Sequence, residues 1–385
     1  MDRHCAPLEL GGRMIYLDYQ ATTPVAPEVI AAMTPWIADR FANPHSPSRA
    51  GREADAAIEV ARGQVERAIG LDGAGLAFTG GATEALNWAL KGIAEEARPE
   101  RRKIVTIATE HAAVLDSCAW LAGRSHPVVT LPVGADGIVD LAEVEHAVGE
   151  DTLLVAAMLV NNEIGVIQPI AEIARIAHAA GALMLCDAVQ GLGRVPVPSG
   201  PDLVAVSAHK IHGPKGVGAL WMRGGIAPAP LLHGGGQERG LRSGTLSPAL
   251  CVGFGAAARL ADGQREADAA HIERLWGASR AALGDAWQLN GNADARYRGN
   301  LNLRREGLDG ARLLSDCRGI AFSLGSACAS GSGRPSHVLR ALGLDDRAAR
   351  SSIRLGFGRY TTEEEIMVAV EQLNVAASAQ RSFTA

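Results

Sequence analysis

From residue 76 to 222, short apolar runs alternate with segments of helical spacing, and this alternation leaves the chain few ways to fold. Runs at 76–79, 104–109, 152–160, 183–187, 202–206 and 217–222 read as strands. Helices are expected at 85–97 and 170–180, with another through Val114, Leu115, Cys118 and Leu121. A strand that returns through a crossover helix lies parallel to its predecessor and is covered on both faces. The expected class is therefore α/β with a largely parallel sheet. Ligands in such sheets sit beyond the carboxyl ends of the strands. Here those ends carry Thr83, His111, Asn162, Asp187 and Lys210.

The flanking sequence has a different rhythm. Residues 15–21 alternate briefly, 27–41 and 52–69 have helical spacing, and the two helices look like the start of a smaller peripheral lobe. A helix is expected over 246–283. Strands at 300–304, 320–323 and 352–357 then alternate with helices at 311–317, 337–342 and 363–376, a second, smaller α/β unit. At roughly 150 residues per domain, 385 residues suit two domains. These are expected at 15–260, with 1–14 as an extension, and at 261–385.

Composition excludes several functions. Hydrophobic residues at 47% and charged residues at 21% are those of an ordinary globular protein, and no segment approaches the ~20 apolar residues of a membrane span. The first residues lack an apolar h-region, so a cytoplasmic protein is expected. A net charge of -5 argues against a nucleic-acid surface, which needs clustered Lys and Arg. The six cysteines form no CxxC pair and read as reduced thiols. His209 and His212 lack a third ligand at sensible spacing, so no metal is expected.

Several residues carry chemistry, each with a plainer alternative. Lys210 follows a strand in company with Ser207 and His209; alone, it would read as a solvated loop lysine. Gly80-Gly81-Ala82-Thr83, between strand and helix, suits a phosphate, or is a helix capped by Thr83. Asp187 closes the apolar run LMLCD; it could keep a heteroaromatic nitrogen protonated, or cap a helix from Ala188 onward. His111 could lie against an aromatic ligand or move protons, or be a core histidine. Cys328 stands among small residues, as a nucleophilic thiol would be presented, or by chance. Arg354, inside an apolar strand, wants a planar anion: a substrate carboxylate, or an internal Asp or Glu.

Taken together, GGATEA, TEHAAVLD, VNNEIGV, CDAVQ, SAHKIHGPKGVGAL, GGGQERGLRSGT, GSACAS, PSHVLRALG and SSIRLGFGRYTTEEE resemble the cysteine desulfurases of pyridoxal phosphate fold type I. Within the class-V aminotransferase group, the likeness is to the long-loop branch that serves iron-sulfur cluster assembly. It runs in order over residues 15–370. The resemblance implies a large domain with a mainly parallel seven-stranded sheet, a smaller α/β domain, and a homodimer with active sites at the subunit interface. It further implies that Lys210 holds pyridoxal 5′-phosphate covalently, Asp187 pairs with the pyridinium nitrogen, His111 stacks on the ring and Gln190 bonds the phenolate oxygen. Ala82, Thr83, Ser207 and His209 would hold the phosphate, with Thr245 supplied by the other subunit. Asn162 would meet both cofactor and substrate and, with Arg354, place the carboxylate of L-cysteine. Cys328 would take the sulfur as a persulfide and pass it to an acceptor protein, an iron-sulfur scaffold or a sulfur carrier.

Two departures stand out against the family. Ser48-Arg49 occupies the rim position where the family has a histidine, and the acidic and aromatic C-terminal extension that helps dock the scaffold is lacking. Related activities are a selenocysteine lyase or another pyridoxal phosphate lyase or aminotransferase. A non-catalytic sulfur-relay protein would have no need of Lys210, Asp187, His111 and Cys328 together.

Overall fold

The computed structural model describes residues 14–71, 74–324 and 335–381. Its centre is a seven-stranded sheet of β2 (Ala74–Thr79), β3 (Lys103–Ile107), β4 (Val128–Leu131), β5 (Thr152–Met158), β6 (Leu183–Asp187), β7 (Leu203–Ser207) and β8 (Gly218–Arg223), in the order β2-β8-β7-β6-β5-β3-β4. Neighbours β4, β3, β5, β6 and β7 are all parallel. β8 alone runs against its neighbours, which leaves β2 in line with the majority. Successive residues of these strands are buried on opposite faces. Leu203 and Ala205 pack beneath α3 (Ala82–Glu95) and α4 (Ala112–Ala122), whereas Val204 and Val206 join the larger core with α6 (Ile170–Ala179).

That larger core is built around α7 (Pro248–Leu283), a single helix of 36 residues started by Pro248 in its first turn and by the Ser247 side chain. The domain boundary expected at 260/261 falls inside it. The two early helices, α1 (Pro27–Ala38) and α2 (Arg49–Ile69), pack directly on α7. The approach is close enough that a Cβ on Gly255 would meet Ala61 Cα at 2.7 Å.

The chain's last third adds an antiparallel sheet β12-β10-β9 of β9 (Gln288–Leu289), β10 (Asn300–Arg304) and β12 (Ser352–Gly356), backed by α8 (Gly310–Asp316) and α11 (Glu363–Arg381). The N-terminal strand β1 (Ile15–Tyr16) crosses to this end and pairs with β11 (Ile320–Ala321). Three further elements lie outside the sequence expectations besides β9: β4, α5 (Leu141–Ala147) and α10 (Asp346–Arg350). Among the described residues no helix is long and apolar enough to cross a membrane.

Candidate active site

A cleft of about 1140 Å³ opens at the carboxyl edge of the sheet. Its lining includes Lys210, Asp187, Gln190, His111, Ala82, Thr83, Ser207, His209, Asn162 and Arg354. Lys210 ends the short 3-10 turn Ala208–Lys210 directly after β7. Its Nζ donates to the carbonyl oxygens of Gln20 and Ala21, both at 2.7 Å, so the segment after β1 supplies one wall. Burial, then the positive charges of Arg194 and Arg354, lower the Lys210 amine to about 8.

Asp187, 6% exposed, ends β6. One carboxylate oxygen accepts from the Val189 amide at 2.9 Å, so the capping alternative is partly realised, as a turn rather than a helix start. Burial raises its pKa above the usual carboxylate value; that backbone bond, His111 and Lys210 pull it back in part. Gln190 donates through Nε2 to the Gln20 carbonyl at 2.9 Å, and its Oε1 accepts from Arg194. Arg194 also donates to the Lys210 carbonyl at 2.8 Å and thereby braces two site residues at once.

The turn before α3 differs in detail from the sequence reading. The N-cap is Gly81, at φ 154°, not Thr83, which lies in the first turn. The Gly80 amide is spent on Glu84 Oε2 at 2.6 Å, and Glu84 is paired in turn with Arg242 at 2.8 Å. The first-turn amides of Ala82 and Thr83 have no intrahelical acceptor, so they could donate to an anion at the positive end of the helix. Facing them, a Cβ on Gly218 would meet backbone of Gly81 and Val206 at 2.7 Å, so only glycine lets β8 come this near. His209 bonds Thr22 through Nδ1 at 3.2 Å, and burial followed by the nearby cations lowers it to about 4, so its ring is neutral.

His111 is itself the N-cap of α4. Its Nδ1 accepts from the Ala113 amide at 3.1 Å, which leaves Nε2 as the ring nitrogen that carries the N–H. The residue before it, Glu110, is fully buried; Oε1 accepts from the Met158 amide at 2.6 Å, and burial followed by Asp187 holds its carboxyl well above the usual range.

Arg354, 1% exposed, has found an internal acid: Nη2 donates to Asp18 Oδ1 at 2.6 Å and Nη1 to the main-chain carbonyl of Asn162 at 3.0 Å. Asp18 Oδ2 accepts from Ser323 Oγ at 2.9 Å, and the buried Glu163 accepts from Ser336 Oγ. The two flanks of residues 325–334 are thus tied to acids at this cleft: Ser336 to Glu163, which lines it, and Ser323 to Asp18, which pairs with the lining residue Arg354. Asp18, Arg194, Glu110 and Glu163 are not singled out by the sequence. The signal for Asp18 was a charge between the buried residues Leu17 and Tyr19. Thr245 is exposed and does not line the cleft within this chain. Cys328 lies outside the described residues. Of the other cysteines, Cys118, Cys186, Cys251 and Cys317 are buried free thiols.

A family model for class-V aminotransferases matches residues 15–368. A cysteine desulfurase IscS of Rickettsia bellii (strain OSU 85-389) is 45% identical over 367 residues, which cover 93% of this chain and 89% of that one. The chain is a member of the cysteine desulfurase family. Among solved structures, a NifS-like protein superposes on this desulfurase with a TM-score of 0.88 at 35% identity, covering 95% of this chain and all of that one. A second, described as SspA in complex with cysteine, has a TM-score of 0.80 at 33% identity and covers 90% and 99%.

Desulfurases of this family depend on pyridoxal 5′-phosphate. The cleft fits that group: an amine with a lowered pKa, a buried carboxylate, and a helix N-terminus brought close by Gly218 all open into it.

Proposed function

We propose that this desulfurase converts L-cysteine to L-alanine, leaves the sulfur as a persulfide on Cys328 and hands it to an acceptor protein for iron-sulfur cluster assembly or another thio-cofactor in the cytoplasm. The observation that carries the reading is the meeting of Lys210, Asp187 and Arg354 in one cleft. Lys210, Asp187, Gln190 and His111 would hold the ring of the cofactor. Ala82, Thr83, Ser207 and His209 would hold its phosphate, with Thr245 reaching in from a second subunit. Pyridoxal phosphate, when bound, supplies the electron sink.

The chain's own residues do the rest. Lys210, its amine lowered to about 8, can carry the proton taken from the substrate carbon, and the His111 ring stands in the same cleft as a second carrier. Positioned general catalysis of this kind is worth ~10²–10⁴-fold. Arg354, with Asn162 beside it, receives the substrate carboxylate. The Cys328 thiolate bonds to the substrate sulfur, the carbon–sulfur bond breaks, and the carbon takes up a proton and departs as L-alanine. Reductant or an acceptor thiol then releases the sulfur.

Purified protein supplied with pyridoxal phosphate, L-cysteine and a reductant should yield alanine and sulfide in equal amounts. Cys328→Ala should keep the absorbance of the bound cofactor and lose desulfuration. Undiminished sulfide release from that variant sinks the persulfide role, and release confined to selenocysteine indicates the lyase instead.

A further inference from the structure

A second cavity, of about 240 Å³, lies between α7 and residues 296–298 and shares only Lys210 with the lining of the main cleft. Its wall is unusually cationic. Arg194, Arg265, Arg296, Arg298 and Arg359 line it against only two carboxylates, Asp268 and Glu273. Three of the five are already neutralised: Arg359 by Asp268 at 2.6 Å, Arg298 by Glu273, and Arg265 by Asp262 at 2.7 Å. Arg194 and Arg296 have no carboxylate among the described residues. Arg194 donates to the oxygens of Gln190 and Lys210 only. Arg296, 5% exposed, donates to the main-chain carbonyls of Asn290, Asn292, Ile164 and Asn300. In addition Arg265 Nε, Arg296 Nε and Arg359 Nη1 are buried donors without an acceptor among the described residues.

Carbonyl dipoles solvate a guanidinium but do not cancel its charge, and a buried uncompensated charge is costly. Two such charges on one cavity call for a dianion. We propose that this cavity binds one small tetrahedral dianion of the phosphate or sulfate class, separate from the cofactor phosphate site at α3. Guanidinium forks match the oxygens of such an anion. Arg194 then links the bound anion to Gln190 and the Lys210 carbonyl, so occupancy would stiffen the back of the main cleft.

The test is calorimetric titration of sodium phosphate, and separately sodium sulfate, into protein saturated with pyridoxal phosphate, in chloride buffer at constant ionic strength. One saturable site per chain is expected. Ala269→Glu, at an exposed position on α7 that lines the cavity, puts a carboxylate there without disturbing packing and should weaken binding at least ~10-fold. Arg296→Gln should do the same. No saturable heat beyond that of chloride overturns the proposal. So does an affinity unchanged by Ala269→Glu, because the anion is then bound elsewhere, and so does binding that Thr83→Val removes.

Discussion

The Lys210 ammonium is held by two carbonyl oxygens, yet burial and the facing Arg194 and Arg354 outweigh them and lower it to about 8. At about pH 7.4 the neutral, nucleophilic fraction is then ~0.2, against ~0.001 for an ordinary lysine. Because the depressed value favours the neutral amine, uptake of pyridoxal phosphate by cofactor-free protein should speed up as pH rises towards 8 and level off above it. Stopped-flow absorbance reads this directly. A rate still climbing steeply between pH 9 and 10 would show that Lys210 titrates as a solvated lysine, and Lys210→Ala should abolish the absorbance band altogether. The neutral His209 beside it adds no positive charge to this balance. Arg354 shows the same logic from the other side, since Asp18 keeps a nearly inaccessible guanidinium compensated, and under the proposed role a substrate carboxylate would take up that charge.

Among the elements, the meeting of β8 with the α3 turn is the tightest constraint on the site. A methyl group on Gly218 would press on backbone at Gly81 and at Val206, and neither can swing aside as a side chain would. Gly218→Ala should therefore cost roughly 1–3 kcal/mol of stability. It should also weaken cofactor binding, because the displaced turn carries the Ala82 and Thr83 amides. Urea unfolding and equilibrium dialysis of the cofactor test the two effects. Normal cofactor affinity in a destabilised variant would show that the turn does not hold the phosphate. The sequence made much of this architecture legible, because the parallel strands are buried on both faces and read as uninterrupted apolar runs; β6 and β10 fall where expected. What escaped was weakly patterned or long-range. β4 is a half-exposed edge strand of four residues, α10 has five, and nothing local in residues 217–222 says that β8 runs opposite to its neighbours. In the site, residues at strand ends were visible as polar punctuation after apolar runs. Asp18 and Arg194 were not, because their partners, Arg354 and Lys210, lie 336 and 16 residues away and only the fold brings them together.

For the molecule as a whole, the proposed contact of Thr245 with a second subunit's phosphate site would depend on how its loop is anchored. The base of that loop is pinned to β2: Glu238 accepts from both terminal nitrogens of Arg62, at 2.8 and 2.9 Å, and from the Phe78 amide at 2.8 Å. Those bonds hold Glu238 and Arg239 at φ 49° and 57°, conformations that side chains seldom adopt unaided. With its base fixed, the loop leaves Thr245 exposed and away from its own cleft. A two-fold dimer would bring each Thr245 to the other protomer's cleft, since an isologous interface exchanges the same residues in both directions. Thr245→Asp, which sets a carboxylate against the phosphate, should then disable the partner's site, as Lys210→Ala disables its own. Each variant alone should be inactive. Mixed and allowed to exchange subunits, half of the dimers carry both variants, and in these one site holds both changes while the other holds neither. About a quarter of wild-type activity should therefore return. If Thr245 served its own cleft, every site in every dimer would carry one change and mixing would restore nothing, so recovery of desulfuration on mixing decides the arrangement.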